Sequence, residues 1–78
     1  MYEIYVMGKS GHDTLTYAPT VETEVDTAQE QFMALLQRGY TAIGFPTGNP
    51  ADIGTVLNRN SHVIDYPAIT MIFPVVGG

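Results

Sequence analysis

Two short stretches of the chain contain residues that could take part in chemistry. The first is GKSGHD at residues 8–13, where a glycine-rich turn carries lysine, serine, histidine and aspartate. The second is the C-terminal MIFPVVGG, where an apolar segment and a proline are followed by Gly77 and Gly78. Glycines have no Cβ, so such a pair can enter a narrow channel and leave its carbonyl carbon open to attack. Gly77 and Gly78 are therefore a candidate C-terminal activation site.

The GKSGHD stretch is interpreted as a turn. A phosphate-binding loop requires a glycine five residues before Gly8, where the sequence has Glu3, and a helix after the loop, where it predicts a strand. Ser10, His12 and Asp13 lie too close together along the chain to form a nucleophile, a base and an orienting carboxylate.

The residue types that bind metals or act as nucleophiles are scarce. The chain has no cysteine, which excludes disulfides, thiolate zinc sites and a cysteine nucleophile. His12 and His62 are its two histidines, and neither is accompanied by enough further ligands for a metal site, so both are expected to be turn residues. We expect no catalytic residue, no metal and no cofactor, and the sequence therefore predicts a protein that is not an enzyme.

Composition limits the class of protein and its partners. The 78 residues form one domain, and 45% hydrophobic against 14% charged residues is typical of a folded chain. Eight acidic and three basic residues disfavour nucleic acid and anionic membranes as partners. No apolar run is long enough to cross a bilayer, and Met1 leads directly into a strand-like pattern, so a cytoplasmic protein is expected.

The elements that must position these residues begin with a hairpin. Residues 2–7 are predicted to form a strand with Ile4 and Val6 on one face, residues 8–13 a turn, and residues 14–18 a second strand. The candidate partner-binding patch on the sheet face opposite the helix comprises Tyr2, Tyr5 and Met7.

A helix is predicted after Pro19. Its apolar stripe has helical spacing and comprises Val25, Ala28, Phe32, Leu35 and Leu36. Thr20 and Thr23 are candidate N-caps, and Gly39 is predicted to end the helix in a left-handed conformation. The acidic residues at its start favour a solvated first turn, with a docking surface for a basic partner as the alternative; they are Glu22, Glu24, Asp26 and Glu30.

The second half of the chain returns to strand patterns. Residues 40–45 are predicted to form a strand that a Pro- and Gly-rich turn ends. Residues 51–67 are less defined: IGTVL fits a short strand, NRNS a turn, and HVIDYP an extended segment or short edge strand. Residues 68–73 are apolar enough for a strand that is central or covered on both sides. The expected domain is 1–73, with a flexible tail of residues 74–78 that leaves through Phe73 and Pro74.

Together these elements predict an α+β fold, a small mixed sheet of four to five strands with one helix across one face. The element order and the ending FPVVGG resemble the ubiquitin-like β-grasp proteins that finish in a diglycine, such as the small subunit of molybdopterin synthase and its sulfur-carrier relatives. The segments RGY, DYP and FPVVGG also resemble small phage and actinobacterial β-grasp proteins, although Val75 stands where those proteins have a second proline. The resemblance spans residues 17–78.

This resemblance implies a function for the tail. In such carriers an adenylating enzyme activates the terminal carboxylate, which is converted to a thiocarboxylate or joined to an amine. The expected function is a carrier or modifier that acts through Gly77 and Gly78 and is a substrate of partner enzymes. The alternative is a non-covalent β-grasp adaptor with an inert tail, such as a phage assembly or host-interaction protein, which binds through its sheet face or the edge strand near Val56.

Overall fold

The computed structural model describes residues 1–8 and 11–74. These contain one helix, five strands and a 3₁₀ helix at Val63–Asp65. In chain order the main elements are β1 (Tyr2–Met7), β2 (His12–Tyr17), α1 (Glu22–Gln37), β3 (Thr41–Phe45), β4 (Thr55–Leu57) and β5 (Ala68–Ile72).

The five strands form one mixed sheet in the order β2-β1-β5-β3-β4. β1 and β5 are parallel, whereas the β1–β2, β3–β5 and β3–β4 pairs are antiparallel. The predicted α+β class and the central position of the last strand are confirmed. With α1 packed on one face, the arrangement is β-grasp-like.

Side-chain alternation divides the sheet into two faces. The register places Ile4 beside Ile69 and Val6 beside Met71, on the face that packs against α1. Phe32, at 0% exposure, is the centre of the helical contribution, as its place in the predicted stripe indicates. The buried core comprises Ile4, Tyr17, Ala28, Phe32, Ala42, Leu57, Val63, Ile69 and Met71.

The β1–β2 hairpin turns more tightly than the sequence predicts. The Gly8 N–H donates to the Gly11 carbonyl at 2.8 Å, so the ladder restarts at His12. The prediction of a second strand at residues 14–18 was wrong at both ends, because His12 and Asp13 already pair with β1 and the strand stops at Tyr17.

The start of α1 is fixed without a side-chain cap, so the prediction of a threonine N-cap was wrong. The N-cap is Val21, with an extended backbone and no side-chain cap bond. Thr20 precedes that position, and Thr23 already lies in the first turn. The chain enters the helix through a turn in which the Val21 N–H donates to the Ala18 carbonyl at 3.1 Å.

The end of α1 confirms the left-handed glycine. Gly39 has φ +94°, its N–H donates to Leu36 at 2.9 Å, and the Tyr40 N–H donates to Leu35 at 3.1 Å. These two bonds are the 5→2 and 6→1 pair of a Schellman motif, which satisfies carbonyls that the helix end would leave without a donor.

Replacing Gly39 by valine is expected to lower the free energy of unfolding by about 1 kcal/mol or more, and replacement by asparagine by less. A Cβ at this position would meet Pro74 at 3.7 Å, an ordinary contact, so the cost comes from backbone strain and not from a clash. Urea unfolding of the two variants measures the difference. Equal losses for both substitutions would contradict the left-handed cap.

The weakly patterned segment contains one predicted strand and one predicted turn. β4 lies within IGTVL, and the NRNS turn is closed by the Ser61 N–H donating to the Asn58 carbonyl at 3.0 Å. The prediction that HVIDYP is extended or forms a short edge strand was wrong, because its centre is the 3₁₀ helix.

The 3₁₀ helix is held by two side chains that are distant in sequence. The Tyr17 hydroxyl donates to the Val63 carbonyl at 3.1 Å, and the Val63 N–H donates to Gln29 Oε1 at 2.9 Å. Gln29 Nε2 also donates to the Ser61 carbonyl at 3.0 Å. These bonds pull Val63 inward, where it is completely buried, and so replace an extended conformation by a helical turn.

Candidate functional site

The candidate site begins where the central strand ends. The ladder of β5 stops at Ile72, and the Phe73 N–H still donates to the Met7 carbonyl at 3.0 Å. The backbone is therefore fixed to β1 one residue beyond the strand. The strand predicted at residues 68–73 therefore ends one residue earlier, at Ile72, and the exit of a tail through Phe73 and Pro74 stays a prediction.

The exit also contacts the end of the helix. The Phe73 and Tyr40 rings meet edge to face, with centroids 5.6 Å apart and an angle of 85° between their planes. The Pro74 ring lies beside Gly39, with its Cβ and Cγ 3.7 Å from the point that a Cβ on Gly39 would occupy. The Schellman turn and the residue after it therefore form the support from which the chain leaves the sheet.

The predicted activation site lies outside the described residues. Gly77 and Gly78, with Val75 and Val76, are not among the residues that the structure describes. The flexible tail and the role of the diglycine remain predictions, and what the structure adds is the anchored start of the tail at Phe73 and Pro74.

The sheet face opposite α1, called the open face below, carries two residues of the predicted patch. Tyr5 and Met7 are 39% and 38% exposed there, and the imidazole of His12 stacks on the Tyr5 ring with centroids 5.7 Å apart. The placement of Tyr2 in this patch was wrong. Tyr2 pairs with Tyr17 on the helix side, where their rings meet edge to face at 5.8 Å, because strand residues alternate between faces.

Tyr17 is a buried phenol with a structural role. Burial, and then the nearby Tyr2 hydroxyl, raise the pKa of Tyr17 to about 12. Its hydroxyl therefore stays protonated at neutral pH and donates to the Val63 carbonyl. This arrangement fixes the 3₁₀ helix to the hairpin and supplies no acid or base near pH 7.

The other residues with possible chemistry lie apart from one another. His12 is the first residue of β2 and not a turn residue, and His62 precedes the 3₁₀ helix. Lys9 and Ser10 lie outside the described residues. Within residues 1–8 and 11–74, no group of three or more His, Cys, Asp or Glu side chains is placed to hold a metal.

Sequence reasoning missed two residues that shape this region. Tyr40 was assigned to the third strand, yet it also supports the exit through Phe73. The signal available was its position directly after Gly39, where a Schellman motif commonly places an apolar contact. Gln29 lies beside the apolar stripe of α1, and no local pattern marks its bonds to Ser61 in the preceding loop and to Val63 at the start of the 3₁₀ helix.

Comparison with protein-family models, with curated proteins and with solved structures gave no match to this chain. In the part of the chain that the structure describes, no helix has the length and apolar character needed to cross a membrane.

Proposed function

We propose that this protein is a ubiquitin-like carrier or modifier whose Gly77–Gly78 carboxylate is activated by an adenylating partner enzyme. The observation that carries the proposal is the position of β5 in the middle of the sheet, with its exit anchored at Phe73 and Pro74. A carrier requires a body of fixed shape for recognition and a terminal segment that begins at a defined point.

The strand order supports this assignment. β5 lies between β1 and β3, parallel to the first and antiparallel to the second, and α1 covers one face. A tail that follows a central strand begins at a point held by a neighbouring strand on each side, which suits a carrier. The contacts of Phe73 with Met7 and Tyr40 keep that end of the sheet in place.

The proposed chemistry follows the resemblance. The Gly78 carboxylate attacks the α-phosphate of ATP, pyrophosphate leaves, and an acyl adenylate forms on the partner enzyme. Hydrosulfide or an amine then attacks the acyl carbon and AMP leaves, which gives a thiocarboxylate or, with loss of the amine's proton, an amide. The glycine pair suits this step because it lacks side chains that would obstruct a narrow active site. The proposal places the protein in the cytoplasm, with the enzyme and ATP.

The test compares the chain with Gly78→Val and with a C-terminally amidated form. Each is incubated with cell extract and ATP, and the intact protein and its C-terminal peptide are then weighed by mass spectrometry. We expect an ATP-dependent mass change confined to the C-terminal peptide of the unaltered chain. Both altered forms should lack this mass change, and their melting temperatures should equal that of the unaltered chain. The carrier function would be refuted if the unaltered chain showed no ATP-dependent mass change, or if the altered forms showed the same mass change as the unaltered chain.

A second candidate function is favoured by the open face. Tyr5 and Met7 leave apolar surface exposed on β1, beside the central strand β5, which suits a non-covalent adaptor such as a phage assembly or host-interaction protein. In that case, removing Gly77 and Gly78 should leave partner capture intact, whereas Tyr5→Glu should abolish it.

A further inference from the structure

β2 is an edge strand with one row of backbone groups directed away from the sheet. It pairs with β1 on one side. The hairpin bond between Gly8 and Gly11 fixes which residues bond across that pair, because bonded and non-bonded pairs alternate in an antiparallel ladder. Counting from this bond, the N–H and C=O groups of Asp13, Leu15 and Tyr17 are the ones that bond to β1.

The outward row therefore consists of the N–H and C=O groups of His12, Thr14 and Thr16. At one end the row is closed, because the N–H of Ala18 donates to the Glu24 carboxylate at 3.0 Å. From Thr16 to His12 the edge is exposed, and it carries the side chains of Thr14 and Thr16 on the open face. An exposed row of this kind is a template for a further strand.

A groove runs beside this edge, between β2 and α1. It has two depressions of ≈ 210 and ≈ 360 Å³, both bordered by Leu15 and Thr27. Ala28 lines the smaller depression, and Val6 and Leu35 line the larger one. An added strand would therefore lie next to apolar surface on its helix-facing side.

Acidic side chains border the groove. Glu24 borders the smaller depression and Asp13 the larger one, and among the residues that the structure describes these are the ionisable side chains that line it. The whole chain carries a formal net charge of -5, which reinforces the attraction for a cation. A basic segment fits this surface, and an acidic one is repelled.

We propose that the outer edge of β2 and the adjoining groove bind an extended, basic peptide segment of a partner protein. The segment adds to the sheet as a further strand. Its alternate apolar residues enter the groove beside Leu15 and Thr27, and its Lys or Arg residues face Asp13 and Glu24. This docking does not depend on the diglycine, because the groove is built entirely from described residues of the folded body.

The strand edge, the groove and the acidic residues contribute differently to binding. Hydrogen bonds from the backbone of Thr14 and Thr16 supply affinity for any extended chain, and the groove selects an apolar residue at every second position. The acidic rim increases the association rate of basic segments and makes binding weaken as salt is added.

The experiment titrates the ¹⁵N-labelled protein with acetyl-Lys-Val-Thr-Val-Thr-Val-Lys-amide at low salt. We expect saturable binding with a Kd of about 1 mM or tighter. The amides of His12, Thr14 and Thr16 should become protected from hydrogen exchange in the complex. The same peptide with glutamate in place of both lysines should bind at least about tenfold more weakly.

Two variants test the surface independently. Thr27→Arg places a cation over the groove at an exposed helix position and should weaken binding by about tenfold or more. Gln37→Arg adds the same charge at an exposed position near the end of α1, outside this groove, and should leave the Kd nearly unchanged. Thr14→Pro removes an outward donor that an edge strand can lose without breaking its own ladder, and should also abolish binding.

Three results would overturn the proposal. The first is no saturable binding up to about 10 mM peptide, roughly ten times the weakest expected Kd. The second is binding that protects amides at the open face, around Tyr5 and Thr70, and leaves the β2 edge unchanged. The third is an equal loss of affinity in Thr27→Arg and Gln37→Arg. If Thr14→Pro fails to fold, the comparison of the two arginine variants decides the outcome.

Discussion

Replacing Phe32 by alanine is expected to lower the free energy of unfolding by about 3 to 5 kcal/mol. The ring is completely buried between α1 and the sheet, so the substitution removes its apolar surface and leaves a cavity that the surrounding side chains fill only in part. A domain of this size has a total stability of about 5 to 15 kcal/mol, so the loss is a large share of it. Urea and thermal unfolding measure it directly.

Phe73→Ala is the matched control because it makes the same chemical change at a residue that is 37% exposed. It removes the edge-to-face contact with Tyr40 and should cost about 1 kcal/mol. If the two variants lost the same stability, or if Phe32→Ala left the melting midpoint unchanged, Phe32 would not be the centre of the core.

The elements that the sequence predicted well are those with a clear period. The helical spacing of the apolar stripe located α1 and its buried residue Phe32, and the alternation of residues 2–7 located β1. The end of α1 was also predictable, since a glycine after an amphipathic helix supplies the positive φ that other residues resist.

The features that the sequence did not predict depend on contacts between distant residues. The 3₁₀ helix forms because Tyr17 and Gln29 both bond to the backbone of Val63, and no window around Val63 contains either partner. The helix entry at Val21 was missed for a related reason. Capping preference favours the neighbouring threonines, but the turn from Ala18 sets the position at which the helix begins.

The candidate site was predicted in part. The end of the last strand was predicted one residue late, at Phe73 instead of Ile72, and the contact between Phe73 and Tyr40 could be found only from the fold. Of the predicted patch, Tyr5 and Met7 lie on the open face and Tyr2 does not, and partner binding there stays a prediction. Strand residues two apart lie on the same face of the sheet, so the alternation that places Ile4 in the core also places Tyr2 on the helix side. The sequence alone could therefore have shown that Tyr2 does not belong to the patch on the open face.

The β2 edge lay beyond sequence reasoning, because it needs both the strand order and the hairpin register. Local patterns in a sequence show where a strand is, but which side of that strand lacks a neighbour depends on the whole sheet. Once the hairpin bond from Gly8 to Gly11 is known, the outward row follows by alternation.

Replacing Gly44 by alanine is expected to lower the free energy of unfolding by about 1 to 3 kcal/mol, although the change adds a single methyl group. Gly44 lies in β3 on the helix side of the sheet, where its missing side chain leaves room for Tyr66. An added Cβ would stand 2.5 and 2.7 Å from Cδ1 and Cγ of the Tyr66 ring and 2.9 Å from Cδ1 of Leu57. Such distances force the ring or the strand to move.

A double-mutant cycle with Tyr66→Ala identifies the ring as the cause. Tyr66→Ala alone removes packing against the core and is itself destabilising. In that background Gly44→Ala should cost at least about 1 kcal/mol less than in the native chain, because the two closest contacts, those with the Tyr66 ring, are gone and only the flexible end of Leu57 has to move. Denaturant unfolding of the four proteins gives the coupling energy. Strict additivity would mean that the penalty at Gly44 arises from Leu57 or from the backbone, and that the Tyr66 ring does not require a glycine beneath it.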